Sequence, residues 1–322
     1  MKYGYYPGCS LEKSASSYNV STMAVAKPLG IEFQELDDWN CCGATEYMTL
    51  NRMAAYALIT RNLALAEKQL TNGKQVVAPC SMCFLNMTKA DHYLVEDTDL
   101  AKKVNLALAA GDLHYTPGSV RARHLLEIMI EDIGLEAISA KVSKPLSGLK
   151  VAPYYGCLIT RPGYLSKFDD YEYPTSLDRL MKGLGATVVD YPMKAHCCGG
   201  HMTQISQNVA LELIRQLLQN AAEYEADIIV TLCPMCQLNL DAYQGDVNRY
   251  FKTKYHIPIL YFTQMMGLAF GLSASELGIG KELVDARPAL SKIGVQVPEL
   301  EPAKKKRPSK EELPMPRMPE ES

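Results

Sequence analysis

The ten cysteines of this 322-residue chain fall into two copies of one pattern: Cys9, Cys41-Cys42 and Cys80-x-x-Cys83, then Cys157, Cys197-Cys198 and Cys233-x-x-Cys236. No cysteine lies outside it. Gaps of 31 and 37 residues separate the groups in the first copy, and 39 and 34 in the second, so only folding brings the thiols together. Thiolates in such number are soft ligands for metal. Structural zinc takes four ligands, often from two compact knuckles, whereas each copy offers five thiols and one Cys-x-x-Cys. A redox-active dithiol of the thioredoxin kind would leave three thiols per copy without a role. Iron–sulfur clusters accept thiolates from dispersed segments, which suits the pattern. An ordinary cubane uses four cysteines, so the fifth is either a spare thiol or the mark of a different cluster.

Neighbouring residues of an extended chain point to opposite sides, so Cys41 and Cys42 can serve one cluster only on a bent backbone. Gly43 and Gly199-Gly200 supply the freedom for that bend. Pro79 and Pro234 flank knuckle cysteines and stiffen them. His196 and His201 bracket the second pair, Lys194 stands just before it, and Arg161 follows Cys157 by four residues. These four are candidate proton donors or contacts for an anionic substrate, beside the plainer reading of surface or supporting residues. Tyr5, Tyr6, Tyr154 and Tyr155, like Met202, Met235 and Met265, read as packing residues.

Each copy opens on a short aromatic strand ending in Gly-Cys, Tyr3 to Pro7 and Val151 to Tyr155. A helix follows in each (Ser14 to Leu29; Thr175 to Leu184), stopped by Gly30 or Gly185, and then a strand (Ile31 to Leu36; Thr187 to Tyr191) that delivers Cys-Cys-Gly. Long helical patterns run over Met48 to Leu70 and Thr203 to Tyr224. Buried strands, Gln75 to Ala78 and Asp227 to Leu232, then lead straight into the knuckles, and Ile257 to Phe262 reads as a last strand. The expected fold class is α/β, with two pseudo-symmetric domains, mainly parallel sheets and ligands at strand C-terminal ends. The domains are expected at residues 1–145, with a helical insertion at about 99–133, and at 146–300. A charged, Pro-rich tail at 301–322, carrying Lys304-Lys305-Lys306-Arg307, is expected to be disordered.

The repeated Cys…Cys-Cys-Gly…Cys-x-x-Cys pattern resembles the CCG-domain family, specifically the B subunit of heterodisulfide reductase, over about residues 1–270. The resemblance implies two noncubane 4Fe-4S clusters at the domain interface, each held by five cysteines. The first would use Cys9, Cys41, Cys42, Cys80 and Cys83, and the second Cys157, Cys197, Cys198, Cys233 and Cys236. It further implies a disulfide split between the clusters, or two thiols oxidised there, with electrons exchanged through a ferredoxin-like C subunit and a flavin-containing A subunit. The segment Cys42-Gly43-Ala44-Thr45-Glu46 departs from a Cys-Cys-Pro version and is closer to bacterial heterodisulfide reductase-like proteins. That turns the expected substrate from the coenzyme M–coenzyme B heterodisulfide toward a small-molecule disulfide or persulfide, or a protein-bound dithiol such as lipoate. The same domains also occur in non-catalytic iron–sulfur subunits of organic-acid and quinone-linked oxidoreductases, which is the competing expectation.

The formal charge of −3 and pI near 6.1 give no broad electrostatic reason to bind nucleic acid. The N-terminus has no apolar secretory core, and the apolar stretch from Ile257 to Leu272 is interrupted by Pro258, Thr263, Gln264 and Gly267. No membrane span and a cytoplasmic location are therefore expected, with the thiols reduced rather than paired as disulfides.

Overall fold

The computed structural model describes residues 1–43, 47–71, 73–165 and 168–298. Among these residues eight short strands form two four-stranded sheets: β1 (Lys2–Tyr5), β2 (Glu32–Glu35), β3 (Gln75–Ala78) and β4 (Arg121–His124), then β5 (Lys150–Tyr154), β6 (Thr187–Val188), β7 (Ile228–Thr231) and β8 (Ile259–Tyr261). The sheet orders are β2-β1-β3-β4 and β6-β5-β7-β8, so the two halves share one topology. Every pairing is parallel, with Tyr5 opposite both Glu35 and Val77, and Tyr154 opposite Thr231. Parallel strands need covered faces, and β7 is accordingly an unbroken buried run, Ile228-Ile229-Val230-Thr231.

The chain winds outward one way from β1 to β2 and the other way from β3 to β4, so the crevice at the strand ends opens between β1 and β3. Cys9 and Cys80 emerge there in the first half, and Cys157 and Cys233 beyond β5 and β7 in the second. The expected α/β class, with parallel sheets repeated twice, is what the structure has.

Two expectations are corrected. The stretch 99–133 is no helical insertion, because it contains β4, which pairs with β3 from Gln75↔Arg121 to Ala78↔His124. Its order of helix (Ser81–Glu96), helix (Thr98–Leu108) and strand recurs in the second half as Pro234–Ala242, Gln244–Phe251 and β8. Arg121-Ala122-Arg123-His124 lacks the apolar run that marks a strand, since Arg123 is buried through ion pairs with Glu127, Glu131 and Asp132. The long helical patterns are also each broken near the start, into Tyr47–Leu50 and Arg52–Gln69, and into Met202–Ile205 and Gln207–Glu223. Asn51 (φ −148°, ψ 89°) and Ser206 (φ −148°, ψ 88°) make matching breaks. Asn51 caps the second helix by accepting the Ala54 N–H at 3.1 Å, an alternative that short polar side chains offer the backbone.

The halves do not have separate cores. One apolar cluster joins Tyr5, Tyr18 and Val25 to Tyr155, Leu177, Leu260 and Phe262, and a second joins Ile59 and Val76 to Ala152 and Ile229. The helix Ser16–Ala26 lies against Phe262–Ala269, with Ser21 and Thr263 hydroxyls 2.7 Å apart. In return, the helix Ser176–Gly183 packs on Leu135–Ser139, whose Ser139 hydroxyl donates to the Gly183 carbonyl at 3.2 Å. Among the described residues no helix is long and apolar enough to cross a membrane. The expected tail at 301–322 lies outside the described residues.

Candidate metal centre

Gly8 and Gly156 set the geometry at the first cysteine of each copy. Both have left-handed φ (+72° and +70°), and a Cβ there would stand 3.1 Å from Cys83 Sγ and 3.0 Å from Cys236 Sγ. The missing side chain thus brings the turn after β1 or β5 against the last knuckle sulfur. Cys9 and Cys41 sulfurs lie 3.7 Å apart, Cys42 and Cys83 3.3 Å, and Cys198 and Cys236 3.6 Å, while Cys157 and Cys197 are hydrogen-bonded partners. Within each knuckle the two thiols also interact. Cys80 and Cys233, the leading knuckle cysteines of opposite halves, lie close enough that each shifts the pKa of the other, Cys80 up and Cys233 down. Six sulfurs, those of Cys42, Cys83, Cys80, Cys233, Cys236 and Cys198, thus form a run across the molecule, with the Cys9 and Cys41 pair near Cys42 and the Cys157 and Cys197 pair near Cys198.

The run has a dry middle and two wet ends. Cys42, Cys80, Cys83, Cys198, Cys233 and Cys236 are buried, Cys157 is half-buried, and Cys9, Cys41 and Cys197 are exposed. The bend between adjacent cysteines is made as the glycines suggest, with φ of +65° at Gly43, +90° at Gly199 and +50° at Gly200. Burial beside the sulfurs pushes the Tyr6 and Tyr154 hydroxyls far up. The hydrogen bond from Cys157, with the Gly199 N–H at 3.3 Å and the Arg161 charge, brings the Cys197 thiol down to about 6 against the effect of burial. Its partner Cys157 is correspondingly pushed up.

Residues outside the cysteine pattern hold the Cys-Cys loops. Asn86 Nδ2 donates to the Cys42 carbonyl at 3.0 Å, and Asn239 Nδ2 to the Cys198 carbonyl at 3.1 Å. Both stand three residues after the second knuckle cysteine, a matched offset visible in the sequence once the copies are aligned. Tyr6 and Tyr154, each three residues before the first cysteine, donate to the carbonyls of Asn40 (2.7 Å) and His196 (2.8 Å), just ahead of the Cys-Cys pairs. These tyrosines are packing residues with a fixed hydroxyl partner. His124 and Tyr18, which no motif marks, sit buried between the knuckles.

The four further candidates divide. Arg161 donates to the Ala195 carbonyl and its charge reaches Cys197. His196 is exposed beside Cys197, and His201 is half-buried beyond Gly200. Lys194 is corrected as a substrate contact: its ammonium is buried, 3.0 Å from Asp178 and 3.8 Å above the Tyr173 ring, while its carbonyl accepts the N–H groups of Tyr155 and Gly156. A lysine neutralised in that way supports the Gly156-Cys157 turn.

Among the described residues no three or more His, Cys, Asp and Glu side chains are arranged around a single-ion position. The sulfurs are instead spread in contacting pairs, and clustered soft thiolates are the donor type that an iron–sulfur centre takes. The residues fit such a group in donor type, and the asparagines and tyrosines are placed to orient the loops that carry the cysteines.

The cysteine-rich domain (CCG) family matches residues 3–88 and 151–241, once in each half. The chain is 36% identical over 285 residues to the 8-methylmenaquinol:fumarate reductase membrane anchor subunit of Wolinella succinogenes, covering 88% of this chain and 98% of that one. It is 30% identical over 295 residues to the B subunit of the ferredoxin/F420H2-dependent CoB-CoM heterodisulfide reductase of Methanosarcina acetivorans, covering 91% and 97%. A crystal structure of a hypothetical protein from Helicobacter pylori shares the fold at a TM-score of 0.69 and 13% identity, over 88% of this chain and 52% of that chain. Two matched cysteine sets on two matched sheets, with relatives that span nearly the whole chain, place this protein in the CCG cysteine-rich domain family, among the relatives of the heterodisulfide reductase B subunits.

Proposed function

We propose that this chain is the catalytic iron–sulfur subunit of a heterodisulfide reductase-type complex, reducing a disulfide or oxidising two thiols between two noncubane 4Fe-4S clusters. The observation that carries the reading is the pair of complete five-thiol sets meeting at Cys80 and Cys233. Reduction of a disulfide takes two electrons and two protons and releases two thiols. When bound, the clusters supply one-electron transfer and iron that can hold a sulfur.

The chain's own residues provide the rest. Cys9, Cys41, Cys42, Cys80 and Cys83 hold one set and Cys157, Cys197, Cys198, Cys233 and Cys236 the other. The buried knuckles exclude water, and the exposed Cys41 and Cys197 edges admit substrate. Arg161 puts a positive charge at the Cys197 edge, suited to a thiolate or an anionic substrate. The sequence carries no ferredoxin cysteine run and no dinucleotide fingerprint. A ferredoxin-like C subunit and a flavin-containing A subunit are the electron partners of this reading, and the cytoplasm is its setting. The substrate is a small-molecule disulfide or persulfide, or a protein-bound dithiol.

A second reading has its own support, because the Wolinella relative, at 36% identity, is named for a quinol:fumarate reductase. On that reading the chain relays electrons to or from a quinone-linked oxidoreductase and transforms no substrate.

Iron, acid-labile sulfide and electron paramagnetic resonance on anaerobically purified protein test the cofactor. Two clusters of noncubane signature are expected, and one cubane, or zinc without iron, would sink the proposal. Titration with thiols and disulfides separates the readings: a substrate-dependent spectral change supports catalysis, and inertness toward all of them supports the relay. Cys198→Ser is expected to disrupt the second site and abolish disulfide turnover while the shared core and the first site are kept.

A further inference from the structure

At the join between the halves, like groups meet. Each knuckle cysteine is preceded by a carbonyl, Pro79 before Cys80 and Leu232 before Cys233, and among the described residues no backbone N–H donates to either from a turn or loop. Two buried side chains stand there, and one of them has a donor within hydrogen-bond distance of both. The Tyr18 hydroxyl lies 3.2 Å from the Pro79 carbonyl and 3.3 Å from the Leu232 carbonyl, although the two are 61 and 214 residues away along the chain. The His124 ring stands beside the same two carbonyls, which offset part of the lowering of its pKa by burial. Its Nδ1 accepts the Leu126 N–H at 3.0 Å, which leaves the proton on Nε2, the nitrogen that also faces the Ser81 hydroxyl at 3.4 Å. Both side chains are fully buried, and the Tyr18 ring is stacked on Tyr261 with centroids 4.2 Å apart and planes within 3°.

Both side chains come from the first half. The second-half counterpart of His124 is Tyr261, which likewise ends its sheet's fourth strand and caps the following helix, but its hydroxyl turns to Gln237. The two halves therefore differ in what they bring to the join.

We propose that Tyr18 and His124 are positioning residues that clamp the Pro79 and Leu232 carbonyls together and so set the spacing and orientation of Cys80 and Cys233, making the two thiol sets a single two-centre unit. The inference rests on the proposed function only for its consequence in the loaded protein. The clamp itself belongs to the polypeptide.

Oxidation of the cluster-free, full-length chain with a small diazene oxidant such as diamide tests it without reference to any cofactor. The oxidant removes two electrons and two protons from a pair of thiols, forming one disulfide and becoming a hydrazine. Peptide mapping then measures how much Cys80 is linked to Cys233 relative to Cys83. Wild type is expected to form the Cys80–Cys233 link readily. Tyr18→Phe keeps the stacked ring and loses the hydroxyl, and is expected to lower that fraction about fivefold, as for loss of one ordinary buried hydrogen bond, with the melting transition kept. His124→Asn, which keeps a helix-capping acceptor but shortens the donor's reach, is expected to act in the same direction.

An unchanged linking fraction in both variants would overturn the clamp. So would global unfolding of Tyr18→Phe, since a local positioning role leaves the shared core intact. In the loaded protein, the magnetic interaction between the two reduced centres should weaken in Tyr18→Phe at unchanged iron content. If the iron is absent or differently organised, the proposed function fails while the linking result still decides the clamp.

Discussion

Asn86 and Asn239 show how much of this site depends on residues that ligate nothing. Each ties a Cys-Cys carbonyl to the helix after the knuckle, and Asn239→Ala takes that bond from the buried Cys198 at a cost of about 1–3 kcal/mol. Asn239→Ala is expected to lower the melting temperature and the iron retained per chain, as read by calorimetry and metal analysis. The glycines before the first cysteines make a sharper case. Gly156→Ala combines a left-handed backbone with a Cβ 3.0 Å from Cys236 Sγ, so a loss on the order of 1–3 kcal/mol in chemical denaturation is expected, together with loss of the second site. Gly245→Ala is the control: it lies in the helix Gln244–Phe251 with nothing within 4 Å of the new Cβ, and should be neutral or stabilise by up to about 1 kcal/mol.

At the scale of elements, the two halves use one plan with different supports. The first cysteine of the second half stands farther along the chain from its helix, and its turn is held from beneath by Lys194, Asp178 and Tyr155. Removing one partner of so buried a pair is strongly destabilising, and Lys194→Ala should cost about 3–5 kcal/mol. Lys194→Ala should also loosen Cys157, read as faster alkylation of that thiol in the cluster-free chain. In the first half, β4 is a strand because three carboxylates neutralise Arg123, and its alternation of Arg, Ala, Arg and His conceals a buried face. Periodicity reports hydrophobicity, so a strand buried through ion pairs escapes it. The breaks at Asn51 and Ser206 escape it too, because the apolar pattern runs through them without a gap.

The whole molecule is a single folding unit built from two repeats. Its apolar clusters contain residues of both halves, and helices of each half pack against elements of the other. A fragment of residues 1–145 expressed alone is therefore expected to lack a cooperative transition and dispersed amide signals, and co-expression with residues 146–322 to restore both. A fragment that folds alone would contradict the shared core. The same embrace carries Cys80 to Cys233, so joining the sheets and joining the thiol sets are one event.

The cysteine pattern, its duplication, the parallel α/β plan and the glycine-relieved bends were all legible along the chain, because each depends on local spacing or on residue types with few alternative uses. The Asn86 and Asn239 supports were half legible, as matched offsets lacking a motif. What only the tertiary structure decided is how the halves meet: that Lys194 faces Asp178, that Arg123 makes β4 a buried strand, and that Tyr18 and His124 stand between carbonyls far away in sequence. A ligand set is announced by residue type, since few side chains bind soft metal. A donor between two carbonyls is announced by nothing but the place where the chain brings them together.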